Sequence, residues 1–459
     1  MRDLRPATHT PPHPVSSIWL GALLALAGAS VPLQAAHPLH PRQAFDAAIT
    51  ADARLNAARA TADAAAERLP QARSQLLPNI ALSASRAENL LDTTRPNPLT
   101  GDKFTTTERY PSTNAVLNLR QTLFRRQQTL GVDQAEYLVD DARQTLNLEM
   151  QNTAVRVSGA YFDALLATDQ LELIEAQKIS TTTGLDAARK ALVAGHGTRT
   201  DVDQAQTRLD MVLAQEIEAR QHVDFTRRQL QNLIGRAPDT LSGLDPARLQ
   251  TTTNSVASLN DLIAEATASN PEIRSLKSRV EATRLEVAKA SAGHYPTLDL
   301  VAQISNSQSD SVTNPFAAYY NRSIGVQLSL PIYSGGYVTS TERQAAAQLQ
   351  NAQAVLDGAV LDLSLRVERE YRNVTEGAAK IQALGQASRS AAVALDSTRK
   401  SYAAGVRTLL DVLNADQELK TNERNLIQAR YNYIAARIRL AALLGNANPV
   451  IEEANGWLR

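Results

Sequence analysis

The sequence predicts an α+β membrane protein made of two internal repeats, each holding two strands, one very long helix and a second, shorter helix. Three observations predict it: residues that match at a fixed offset, apolar residues that recur every seven positions, and short segments in which apolar and polar residues alternate.

The offset is 210 positions. Without a gap it aligns Val157 with Val367, Tyr161 with Tyr371, Gly195 with Gly405, Asp201 with Asp411, Ala205 with Ala415, Leu209 with Leu419 and Gly235 with Gly445. The chain divides accordingly into a signal segment over 1–36, a first repeat over 37–234, a linker over 235–259 carrying Pro238, Gly243 and Pro246, a second repeat over 260–445, and a short tail over 446–459. In the first repeat the pattern predicts a helix at 41–77, strands at 80–90 and 112–123, a long helix at 124–194 and a helix at 198–234. In the second it predicts a helix at 260–293, strands at 297–308 and 321–332, a long helix at 335–404 and a helix at 406–444.

The helices rest on heptads. Val412, Leu419, Leu426, Tyr433 and Leu440 follow one another at the coiled-coil spacing, with Ala415, Ala429, Ala436 and Leu443 in the second seam position. Val202, Leu209, Val223 and Leu230 keep the same frame in the first repeat, with a break at Glu216 and Thr226. A sustained period of this kind imposes a left-handed supercoil, and small residues in one seam bring backbones close. A helix of about 70 residues spans roughly 105 Å, and the two shorter helices of each repeat add up to nearly that length. Stacked end to end, they can pair along the whole long helix, as in the wall of a cylinder.

The strands rest on alternation. Leu298, Leu300, Ala302 and Ile304 alternate with Asp299, Val301, Gln303 and Ser305; Ile324, Val326, Leu328 and Leu330 alternate with Gly325, Gln327 and Ser329. Ile80, Leu82 and Ala84, and then Ala115, Leu117 and Leu119, repeat the pattern in the first half. Strands of about ten residues with one apolar face suit a membrane barrel; a water-soluble hairpin with one buried face shows the same alternation. Four strands cannot close a barrel, since an open edge in lipid leaves backbone groups unpaired, so the membrane reading requires oligomerisation. Segments 92–111 and 309–320, rich in Thr, Asn, Pro and Gly, are expected to be loops on the exterior side.

Composition narrows the function. Aromatic residues make up 4% of the chain, which favours close helix packing over a wide core, and Lys+Arg and Asp+Glu balance at 47 each, so no field favours nucleic acid. Arg2 and Arg5 precede an apolar run from Ile18 to Ala29 and the small residues Ala35 and Ala36, the arrangement of a secretory signal, too short to span a bilayer. With no cysteine, thiolate catalysis, disulfides and a lipid-modified N-terminal cysteine are excluded. The histidines are scattered, and His196 beside Gly195 is assigned to solvent; no metal or cofactor is expected. Phosphate loops and nucleophile elbows are absent, so no enzymatic activity is expected.

The stretch Tyr402-Ala-Ala-Gly405-Val-Arg407-Thr408-Leu-Leu-Asp411-Val-Leu-Asn414-Ala415, followed by Ala429-Arg430-Tyr-Asn-Tyr433, resembles the TolC family of outer-membrane efflux and secretion channels, as does the order of elements over nearly the whole mature chain. The resemblance implies a homotrimeric channel-tunnel: four strands per chain close one 12-stranded β-barrel in the outer membrane, continued by a long α-helical barrel through the periplasm of a Gram-negative cell. It implies as partners a periplasmic adaptor and an inner-membrane transporter of ABC type, docking at tips marked by Gly195 and Gly405, which also read as helix C-caps. The Gly-x-Arg-Thr tip is more similar to the type I secretion branch than to the drug-efflux branch, which implies a protein cargo, with small molecules as the alternative. An adaptor or structural coiled coil would carry one hairpin flanked by soluble β-domains.

Residue by residue, the resemblance places Thr200 and Asp201 on the first-repeat side of a periplasmic gate, Tyr402 and Arg407 on the second-repeat side, and Asp411 at an acidic constriction. Asn414 stands where a second acidic residue is found in the family, which implies one ring of carboxylates. Apart from the resemblance, an Asp near a helix start is usually a cap or a solvated charge.

Overall fold

The computed structural model describes residues 38–238, 240–249, 257–311 and 314–459. The signal segment and part of the linker lie outside the described residues. The first repeat runs α1 (Pro41–Ala51), α2 (Ala53–Ala66), α3 (Arg68–Ser74), β1 (Asn79–Pro96), β2 (Lys103–Phe124), α4 (Arg126–Val193) and α5 (Arg199–Ile234). The second runs α6 (Leu259–Ser269), α7 (Pro271–Ser291), β3 (Thr297–Ser311), β4 (Asn314–Ser329), α8 (Tyr337–Ala403) and α9 (Leu409–Leu443), and α10 (Asn448–Gly456) follows.

Helices α4 and α8 have 68 and 67 residues, so each is about 100 Å long. Towards the strands, α2 and α3 flank α4 while α7 packs against both α4 and α8; towards the other end α5 flanks α4 and α9 packs against both long helices. Four helices therefore lie side by side at either level. The heptad positions form the seams: Ala205, Val212, Val223 and Leu230 of α5 and Leu419, Ala429, Tyr433, Ala436 and Leu440 of α9 are buried. Glu216 and Thr226, which interrupt the apolar pattern, are buried in the same seam. Glu216 accepts from Lys178 Nζ at 2.8 Å and pairs with Arg220, and Thr226 Oγ1 donates to the His222 carbonyl at 3.0 Å. The seam thus runs on through satisfied polar groups.

The segment 41–77, expected as one helix, is three, and 260–293 is two with a closing 3-10 turn. Two of the breaks are made by capping side chains: Asp52 accepts from the Arg54 amide at 2.8 Å, and Asn270, followed by Pro271, accepts from the Glu272 amide at 2.8 Å; the break at Glu67 has no side-chain cap. Arg156 on α4 pairs with Asp52, and with Glu149 at 2.8 Å; Arg366, its counterpart on α8, pairs with Glu272 at 2.7 Å and Asp362 at 2.8 Å. Each long helix carries an arginine that clamps the break beside it. The main core surrounds these breaks, and in it the fully buried Tyr161 donates its hydroxyl to the Leu39 carbonyl at 2.7 Å. The expected tail at 446–459 forms α10 and buries Ile451, Ala454, Trp457 and Leu458 in that core, with Leu458 bridging back to Leu244 of the linker.

The strands form one antiparallel sheet in the order β1-β2-β3-β4, which leaves β1 and β4 as its edges. The register sets Ile80, Leu119, Ala302 and Ile324 in one row and Ala81, Asn118, Gln303 and Ser323 in the next, so one face is apolar and the other polar. The strands are longer than their apolar cores. β1 reaches Pro96 and β2 starts at Lys103, so the loop expected over 92–111 shrinks to 97–102; β3 reaches Ser311 and β4 starts at Asn314, inside the second expected loop, and β4 ends at Ser329 rather than at 332. Threonines drive the extension: Thr93 faces Thr106 and Thr94 faces Thr105, the latter pair joined through their hydroxyls at 2.8 Å. Branched residues fit the pleat, and such cross-strand pairs stabilise it. At the base, buried Asp299 accepts from Arg120 of β2 and, at 3.0 Å, from Arg125, the residue that precedes α4.

Candidate functional site at the helical tips

Far from the sheet, α4 turns into α5 and α8 into α9 through two short connections of similar build. Gly195 and Gly405 adopt φ of 76° and 77°, the left-handed conformation that lets a helix end and its chain reverse. Thr198 and Thr408 then cap the next helix. Thr198 Oγ1 accepts from the Asp201 amide at 3.1 Å while the Asp201 carboxylate accepts from the Thr198 amide at 3.0 Å; in the second turn the distances between Thr408 and Asp411 are 3.2 and 2.9 Å. These are reciprocal capping boxes, written in the sequence as Thr-x-x-Asp. They explain why α9 starts at Leu409 and not at 406.

Both candidate aspartates are therefore caps. Asp411 has a further neighbour, Arg407, whose guanidinium lies 3.8 Å from its carboxylate. The backbone amide and hydroxyl of Thr408, with the charge of Arg407 added, hold the Asp411 carboxyl below the ordinary carboxylate range. It stays ionised through the neutral range.

Thr200 and Asn414 come together. They line one groove of about 400 Å³ between α5 and α9, with Gln204, Met211, Leu410 and Leu413. Beneath it Leu185 and Ala188 of α4, Ala205 of α5 and Leu409 of α9 form a small apolar cluster that seats the start of α9 against the first hairpin. Tyr402, in the last turn of α8, is 37% exposed, and its carbonyl accepts from the Gly405 amide at 2.9 Å. Among the described residues, neither Tyr402 nor Arg407 reaches Asp201 within one chain.

Sequence reasoning missed the rungs that join each hairpin above its tip. Arg189 donates to Gln206 at 2.9 Å, and its counterpart Arg399 pairs with Asp416 at 3.3 Å. Between the hairpins Gln177 of α4 donates to Gln417 of α9 at 3.0 Å. The arginine pair obeys the repeat offset and was legible; the glutamine pair has no such signal.

Residues 45–236 and 262–446 match the family model described as outer membrane efflux protein. The chain is 36% identical over 389 residues to the alkaline protease secretion protein AprF of Pseudomonas aeruginosa, covering 83% of this chain and 79% of that one. It is 32% identical over 436 residues to the proteases secretion protein PrtF of Dickeya chrysanthemi, covering 94% and 92%. The fold is similar to that of the outer membrane protein VceC of Vibrio cholerae, with a TM-score of 0.73 at 21% identity, covering 88% of this chain and 96% of that one.

Proposed function

The chain belongs to the outer membrane efflux protein family, and from that premise we infer that it is the exit duct of a type I secretion system, passing a protein across the periplasm and outer membrane. The observation that carries the choice of cargo is the likeness to two protease secretion proteins over most of their lengths. The duct is a channel and carries out no covalent chemistry.

The working unit is a homotrimer. Edge strands β1 and β4 each present a row of unpaired backbone groups, and in lipid only neighbouring copies can satisfy them. The apolar face supports the same closure, because its upper limit is slanted: it lies at Ala84 and at Ala115 on the row shared by β1 and β2, then at Ile304 and Ile324 on β3 and β4, each nearer the helices. The drop is about four residues over three strand steps, a slope of about 43° at about 3.3 Å per residue and about 4.8 Å between strands. Strands of membrane barrels tilt by about 35 to 45°.

In this reading the helical tips at Gly195 and Gly405 receive the periplasmic adaptor, which couples the duct to an ABC-type inner-membrane transporter. The second hairpin closes the entrance, with Tyr402 and Arg407 linked to Thr200 and Asp201 of a neighbouring chain. Asp411 and Asn414 line the constriction, and one ring of carboxylates there favours cations.

The test is export in a strain lacking its own exit duct and supplied with a protease-secreting transporter and adaptor. The gene should restore protease to the medium. Restored resistance to dyes or solvents without secreted protease would move the assignment to small-molecule efflux.

A further inference from the structure

Ascending the apolar face away from the helices, the first polar rung is Arg86 on β1, Thr113 on β2, Asn306 on β3 and Arg322 on β4. Each of these residues lies one step above the last apolar residue of its own strand, so along the slanted belt the four stand at one height. Arginine occupies both edge strands. Among the described residues neither Arg86 nor Arg322 has a carboxylate partner; Arg322 lies over the ring of Tyr320, 4.6 Å from its centre. Glu88, the acid nearest along β1 on this face, is engaged by Arg109 at 3.6 Å.

Resting on the barrel reading above, we propose that Arg322 of one protomer and Arg86 of the next form a binding site for the phosphate of an outer-leaflet glycolipid, three sites to a trimer. In a closed barrel β4 of one chain lies beside β1 of the next, about 5 Å away. Two guanidinium groups then stand side by side at the upper edge of the hydrocarbon belt, where their mutual repulsion calls for an anion. Guanidinium binds phosphate through paired hydrogen bonds, and the Tyr320 ring holds Arg322 in place at the interface. The hairpin turns lie opposite the helices, so this belt edge belongs to the exterior leaflet, whose lipid is a phosphorylated glycolipid. Its acyl chains would lie along Ile324, Val326 and Leu328 of β4 and Leu82 and Ile80 of β1, all exposed in the single chain.

Native mass spectrometry of the detergent-purified trimer tests this, with bisphosphorylated lipid A, its dephosphorylated form, phosphatidylglycerol and inorganic phosphate as separate additions. Bisphosphorylated lipid A should bind in up to three copies. Removing its phosphates, or making Arg86→Gln with Arg322→Gln, should weaken binding about tenfold or more, while Arg322→Lys keeps part of it. Equal binding by the double variant, or equal binding of phosphatidylglycerol or of free phosphate, would overturn the proposal. The same spectrum reports assembly: a trimer without phosphate-dependent binding overturns this site alone, whereas a monomer overturns the barrel and the site together.

Discussion

At the first tip three successive amides, those of Gly195, His196 and Gly197, fold back onto carbonyls of α4; at the second, the amides of Gly405 and Val406 do so and Arg407 projects towards Asp411. A side chain at position 197 would meet the Leu192 backbone nitrogen at 3.0 Å and Ala191 at 3.1 Å, so the first turn has no room for what the second carries at the equivalent place. Higher up the same contrast recurs, with Arg189 on neutral Gln206 and Arg399 on charged Asp416. Two copies of one hairpin have thus diverged without altering the backbone plan. Both tips carry exposed charge, Arg199 with Asp203 at the first and Arg407 with Asp411 at the second, but only the second places an arginine in the turn itself, where a neighbour or a permeating ion can meet it.

The largest effect is expected where that charge is removed. Replacing Arg407→Ser together with Tyr402→Phe takes away links repeated three times around the trimer. At about 0.5 to 1 kcal/mol for each exposed pair, two proposed links at each of three interfaces amount to about 3 to 6 kcal/mol, which shifts the closed-to-open ratio by about a hundredfold or more. Planar-bilayer recordings should show a large rise in conductance at unchanged trimer yield. No rise would erase the functional half of the contrast.

Next comes Asp411→Ala, which should lower cation selectivity with little change in conductance, whereas Asp201→Ala leaves selectivity alone. The pH dependence follows from the depressed carboxyl of Asp411. A group whose pKa is lowered by folding contributes stability above its unfolded value, and that contribution is lost as pH falls through the folded value. Reversal potentials should therefore hold steady through mildly acidic pH and collapse only as pH falls below the ordinary carboxylate range.

A smaller effect separates the turns structurally. Gly197→Ala should lower stability by about 1 kcal/mol, read as a fall in the thermal midpoint of the helical signal, while Arg407→Ala leaves it unchanged. Equal losses would mean that the two turns are not packed differently. The caps should behave alike: Thr198→Ala and Thr408→Ala each cost about 1 kcal/mol, and a marked inequality would show that one cap does more than start its helix.

Much of this architecture is written in periodicities. The fixed offset places Gly195, Gly405, Asp201 and Asp411, and the heptads fix α5 and α9 to within a few residues. The upper half of the sheet was illegible because its threonines, read singly, suit loops; they form strand only when Thr93 and Thr94 find Thr106 and Thr105 across the hairpin. The breaks at Asp52 and Asn270 were hidden for another reason. A cap inside a helical pattern looks like a surface polar residue until the long-helix arginine at the break is seen beside it, Arg156 on Asp52 and Arg366 on Glu272 next to Asn270. Glu216 misled in the opposite sense, as a charged residue at a seam position whose partners Lys178 and Arg220 lie on two helices. At the tips, the sequence placed the residues but not their order of engagement: Asp201 and Asp411 cap first, and only Asp411 also meets an arginine.

For the gate proposed above to open, the second hairpin must leave its neighbours at the tip and, in doing so, swing away from the first hairpin of its own chain. Because the chain has no cysteine, Thr200→Cys with Asn414→Cys can be bridged across their shared groove by a short bifunctional thiol reagent, and conductance recorded before and after. The account expects the unbridged variant to open like the native channel and the bridged trimer to stay at the closed level and release no cargo. A bridged trimer that conducts and exports at the unbridged rate would contradict it.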